Sequence, residues 1–130
     1  PLLERRWKWV WTNIYMSDAL CRLQRYDEAL AALEPGWELV DESRTDLRAT
    51  LFRFRGRIHS DRGDYELASA DFDAAERLRP GYEMVKYDRG LLAQRQGRSG
   101  DAARLFRDFL ATGIKAPEVE DATQRLATLQ

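Results

Sequence analysis

Residues 63–80, Gly63-Asp-Tyr-Glu-Leu-Ala-Ser-Ala-Asp-Phe-Asp-Ala-Ala-Glu-Arg-Leu-Arg-Pro80, decide how the rest of the chain is read. A Gly-Asp turn opens the stretch, Ala68, Phe72 and Ala75 recur at helical spacing with Leu78 beyond them, and Pro80 stops it. One face of this short amphipathic helix is therefore narrow, two alanines around a single bulky phenylalanine. Such a face lets another helix backbone come close, which predicts packing against a helix and not a sheet. The partner just upstream is Leu51 to Arg62, where Gly56 supplies the matching gap.

Working outward, the remaining segments also read as helices. Residues 2–23 carry Trp7, Val10 or Trp11, Ile14 and Leu20 or Leu23 at steps of three and four, with Trp9, Tyr15 and Met16 on other faces. Bulky residues that far around one helix predict cover on more than one side. A turn at Arg25 to Asp27 precedes a second helix from Glu28 to Leu33, which Pro35-Gly36 is expected to kink or end because proline lacks a donor and clashes with the preceding turn, with Trp37, Leu39 and Val40 as its candidate continuation. Ser43 to Asp46 offers capping side chains for a helix with the stripe Leu47, Leu51, Phe54 and Ile58. After Pro80 come Glu83 to Gln96, Asp101 to Ala111 and a last helix following Pro117, in which Val119, Ala122, Leu126 and Leu129 share one side. The expectation is seven helices and no strand, an all-α fold.

Composition bounds the function. The 130 residues are one domain's worth, and 21 Lys and Arg against 22 Asp and Glu leave a net charge of −1. There is no global pull toward nucleic acid or an anionic membrane. The lone Cys21 excludes an intrachain disulfide and a multi-cysteine metal site, and fits a reducing, cytoplasmic setting. No apolar run has the length of about 20 residues that a bilayer crossing needs. The first residue is Pro1 and not methionine, which raises the expectation of a domain cut from a longer protein.

The helices pair, and the pairs repeat. Gly56, Gly63, Ala68, Phe72 and Ala75 fall over Gly90, Gly97, Ala102, Phe106 and Phe109 at a constant offset of 34 residues. A weaker copy lies upstream, with Ser17, Tyr26, Ala29 and Leu33 answering Gly56, Tyr65, Ala68 and Phe72 at an offset of 39. One fixed offset argues for stacked copies of a helix-turn-helix unit.

On these residues the chain resembles the tetratricopeptide repeat (TPR) family. The middle copy, 49–82, matches with Phe52, Gly56, Ala68, Phe72, Ala75 and Pro80; the third, 83–116, keeps Gly90, Gly97, Ala102 and Phe106 but has Lys86 at the large first position. Arg55 and Arg89 stand where the family has an inward leucine. The resemblance implies a single domain over 1–130: a right-handed α-solenoid of three repeats, about 10–43, 49–82 and 83–116, with a capping helix over about 117–129.

It also implies a concave groove lined by the first helix of each pair, which holds a peptide or partner domain without catalysis. The groove residues on this alignment include Trp11, Ile14 and Arg22, with Trp7 a turn earlier, then Arg53 and Arg57, then Tyr87, Leu91 and Arg95. Arg53 and Arg57, one turn apart, point to an acidic peptide with hydrophobic anchors, or to a solvated arginine face. The Trp7 and Trp11 stripe suits a ligand, an absent domain or a homodimer contact equally. A regulatory domain that binds a segment of its own chain is the alternative reading, and single-stranded RNA is disfavoured by the neutral charge and by Asp18 and Asp61 on the same surface. The positions matching the family's carboxylate clamp, among them Ile14, Asp18 and Phe54, lack its chemistry. His59 and Cys21 read as buried structural residues, so no catalytic residue, metal or cofactor is expected.

Overall fold

The computed structural model describes residues 2–129, with side chains from Glu4 onward. The elements are α1 (Leu2–Arg22), α2 (Tyr26–Leu39), α3 (Thr45–Arg62), α4 (Tyr65–Leu78), α5 (Glu83–Arg95), α6 (Ser99–Ala111) and α7 (Glu118–Leu129), with no strand among the described residues. The contacts fall into two compact units that divide between Arg79 and Pro80.

In the first unit, α1 lies against α2 and α3 against α4, while α3 also touches α1 and α2. Gly56 shows why the second of these pairs can close. A Cβ built there would stand 2.7 Å from the nearest carbon of the Phe72 ring, so the ring occupies the space a side chain would need. Gly63 then ends α3 in the left-handed conformation, at φ 92°, which glycine adopts without the steric cost of a Cβ. The core of this unit is built from Val10, Ile14, Leu33, Leu51, Phe54 and Ile58, with Phe72 and Ala75 buried on α4.

The second unit repeats the device. Gly90 on α5 faces Phe106 on α6 at 2.6 Å from a hypothetical Cβ, and Phe106 is completely buried. Helix α7 packs against α6, where Val119, Ala122, Leu126 and Leu129 close over the cluster containing Phe106 and Phe109. The expected apolar side of this last helix is thus the side that packs.

Of the readings open at Pro35, an end or a continuation through Trp37 and Leu39, the second holds: α2 runs on to Leu39. Proline removes one backbone donor, and the segment beyond it makes up for that loss by packing: Gly36 is buried against Leu51, Val40 is buried, and Trp37 stacks edge-on against Phe52 at 4.8 Å. One expectation is corrected: no side chain from 43–46 caps α3. The position before the helix is Arg44, without a side-chain cap, and the Ser43 hydroxyl and amide both turn back to Asp41.

Candidate functional site

The residues expected to line a groove divide sharply once the helices are in place. Ile14, at 1% exposure, sits in the core of the first unit and cannot touch a ligand, which corrects its assignment. Val10, Ile14, Ser17 and Cys21 form the buried side of α1, spaced four, three and four apart, so that outward rotation of Ile14 would expose the whole stripe. Tyr87 and Leu91 are also buried, in the cluster with Phe106 and Phe109. The Tyr87 hydroxyl donates to Asp121 Oδ2 of α7 at 2.5 Å, and Arg125 joins the same carboxylate at 2.7 Å while donating to Gln94 Oε1 at 2.9 Å. These groups fasten α7 to α5 and are committed to each other. Burial works against the charged form of Asp121, but the Tyr87 hydroxyl and the Arg125 guanidinium outweigh it and hold the carboxyl below its ordinary range.

The arginines are engaged within the chain. Arg53 is 7% exposed, with its guanidinium 5.2 Å from the centre of the Phe54 ring, and Arg57 lies at 5.6 Å from the same ring. They flank one phenylalanine and do not stand as an open fork. Asp18 accepts ion pairs from Arg57 at 3.3 Å and from the exposed Arg22 at 3.0 Å. A short charge network thus covers the surface where α1 meets α3. Arg95, at the end of α5, remains exposed.

Cys21 belongs to the same junction. Its thiol donates to Asp61 Oδ2 at 3.1 Å, and burial, followed by the Asp61 hydrogen bond and charge, pushes its pKa up to about 12. It is a neutral thiol at physiological pH. Iodoacetamide at pH 8 is therefore expected to alkylate Cys21 at least about a hundredfold more slowly in the folded chain than in urea. Equal rates would show the thiol to be open. Because the folded thiol keeps its proton longer than the unfolded one, the stability this group contributes is intact below about pH 9 and is lost as pH rises toward 12.

His59 is buried on α3 with Nε2 3.7 Å from Asp71 Oδ2, and its Nδ1 makes no hydrogen bond. Burial lowers its pKa, with the Asp71 charge pulling the other way, so the imidazole is neutral near pH 7. Asp71 in turn is held by Arg55, through Nε at 3.0 Å and an Nη at 2.8 Å. Sequence reasoning missed this pair. It noted Arg55 only as a departure from an inward leucine, and nothing local to α3 announces an acid 16 residues on. Among the described residues no group of His, Cys, Asp and Glu side chains is placed to hold a metal ion, and no helix is long and apolar enough to cross a membrane.

What remains open is aromatic. Trp11 is 38% exposed and Tyr15 64%, their rings 5.9 Å apart on successive turns of α1, and Trp9 and Met16, seven residues apart, are about half exposed on another face of the helix. Trp7 is partly buried against the core, with the Arg44 guanidinium 4.4 Å above its ring. The sequence pointed to Trp7 and Trp11 and set Tyr15 on another face, although its place one turn beyond Trp11 puts the two rings side by side. The chain matches no protein-family model, no curated protein and no solved structure.

Proposed function

We propose that the chain is a tetratricopeptide-like repeat module whose work is to bind another protein, without catalysis, and that the binding surface is the outer side of α1. Support for the repeat comes from the recurrence of one contact: glycine against phenylalanine at Gly56 and Phe72, and again at Gly90 and Phe106, 34 residues apart. Support for the surface is the exposure of Trp11 and Tyr15, whose rings lie 5.9 Å apart on successive turns of α1, since exposed apolar area of this kind marks interaction sites. Aromatic residues of this type carry most of the energy in protein interfaces. The acidic-peptide reading draws less support, because Arg53 is buried against Phe54 and Arg57 is paired with Asp18. A cytoplasmic setting, read from the single cysteine of the sequence, is part of the same proposal.

The test is selection of binding peptides from a random display library against the folded chain. Peptides so selected are expected to lose about thirtyfold or more in affinity when Trp11 is truncated to alanine, the loss of an aromatic anchor worth about 2 kcal/mol. Binders indifferent to both Trp11→Ala and Tyr15→Ala would overturn the assignment of this surface.

A further inference from the structure

Six residues of α1 run along one flank of the helix at steps of four, three, four, three and four: Glu4, Lys8, Trp11, Tyr15, Asp18 and Arg22. This is the spacing by which one helix meets another along its length. Glu4, Lys8, Trp11, Tyr15 and Arg22 are exposed, and Asp18 is partly so. The order of chemistry is acid, base, aromatic, aromatic, acid, base. Read backwards, each position meets its complement.

We infer that this flank is the contact surface between two copies of the chain, whose α1 helices pair antiparallel about a two-fold axis passing midway between Trp11 and Tyr15. The axis sets residue i opposite residue 26 − i, so that Glu4 meets Arg22 of the second copy, Lys8 meets Asp18, and Trp11 meets Tyr15, each contact occurring twice. A parallel arrangement would set Glu4, Lys8, Asp18 and Arg22 each against itself, so the charges select one direction. The two central contacts bring four aromatic rings together, and the two within each chain are already 5.9 Å apart. Arg22 and Arg57 hold the Asp18 carboxylate in place on its own chain, where Lys8 of the second copy adds a further cation. The four charges of the flank cancel, which favours this occupant over an anionic membrane surface or a uniformly charged peptide. The inference rests on the reading of α1 as a binding surface and names its partner.

The stripe is about 27 Å long, at 1.5 Å per residue, which places the contact among small interfaces. Dissociation is therefore expected at roughly 10 µM and to weaken with salt. Sedimentation equilibrium of the chain between about 1 and 200 µM is expected to show a mass rising from 15.1 kDa toward twice that value. Glu4→Arg sets arginine against Arg22 at both ends and is expected to weaken the dimer about tenfold or more, as is Lys8→Glu against Asp18. Adding Arg22→Glu to Glu4→Arg exchanges the pair and is expected to restore affinity to within about threefold. Circular dichroism of each variant verifies that the helices persist.

A chain that stays at 15.1 kDa throughout, or single and double variants that dimerise alike, would overturn the pairing. Since the exchange leaves Trp11 and Tyr15 untouched, a failed dimer beside Trp11-dependent peptide binding would remove this inference alone and leave the binding surface standing.

Discussion

Replacing Gly90 with alanine is expected to lower the stability of the second unit by about 1 kcal/mol net, against the usual direction for a glycine in mid-helix. Alanine is the better helix former by about 1 kcal/mol, and at an open helical position the change would stabilise. Here the added methyl meets three carbons of the Phe106 ring, at 2.6, 2.8 and 3.0 Å. That ring is fully buried and flanked by Tyr87, so it has nowhere to turn, and overpacking of this kind costs about 1–3 kcal/mol. The mechanism separates from a general loss of fit in a double-mutant cycle. Phe106→Leu alone leaves a cavity, but in its presence Gly90→Ala should cost at least about 1 kcal/mol less, measured by urea unfolding. Strict additivity would mean that the glycine is there for some other reason. Gly56 makes the sharper case, because its Cβ would meet both the Phe72 ring at 2.7 Å and Asp71 Cβ at 3.2 Å. The second obstacle lies next to the backbone of α4, so shrinking Phe72 should relieve Gly56→Ala less completely than the matching change relieves Gly90→Ala.

The other large effect concerns Arg55. Its guanidinium grips the buried Asp71 carboxylate through two nitrogens and lies 4.6 Å from the centre of the Trp37 ring. Arg55→Leu would leave a carboxylate buried beside an uncharged His59. Breaking a buried pair costs about 3–5 kcal/mol, and because the Arg55 side chain is about one-third exposed the expected loss is nearer 2 kcal/mol. Replacing both partners, Arg55→Leu with Asp71→Leu, should bring stability back to within about 1 kcal/mol of the starting chain. If the double variant is as unstable as the single one, the guanidinium matters through packing on Trp37 and Phe52 and not through the charge it neutralises.

The helices and their pairing were legible because they rest on residues with few physical uses. A glycine inside a helix, a large aromatic 16 residues later, and the same two again at a fixed interval leave little besides close helix contact to explain them. The facing of individual side chains was less legible. Ile14 was set toward a groove by alignment over the weakest copy, although Val10, Ser17 and Cys21 at matching steps already marked its side of α1 as the inner one. Tyr87 and Leu91 were unreadable for another reason: the cover over them includes α7, some thirty residues away, and no pattern within α5 reports it. Pro35 left the course of α2 open because its cost is local and certain, whereas the packing of Gly36 and Trp37 that outweighs it is contributed by α3. The charge network failed in the same way, since Arg57 and Asp18 are remote in sequence and their pairing turned an apparent basic face into a neutral one.

The interlock between a helical glycine and a phenylalanine has a kinetic consequence. Gly56 and Phe72, like Gly90 and Phe106, are 16 residues apart, so each hairpin can zip shut by closing a small loop without waiting for distant parts of the chain to find one another. A polypeptide assembled from such short-range closures acquires shape as it leaves the ribosome, hairpin by hairpin, and spends little time as a sticky, half-collapsed intermediate.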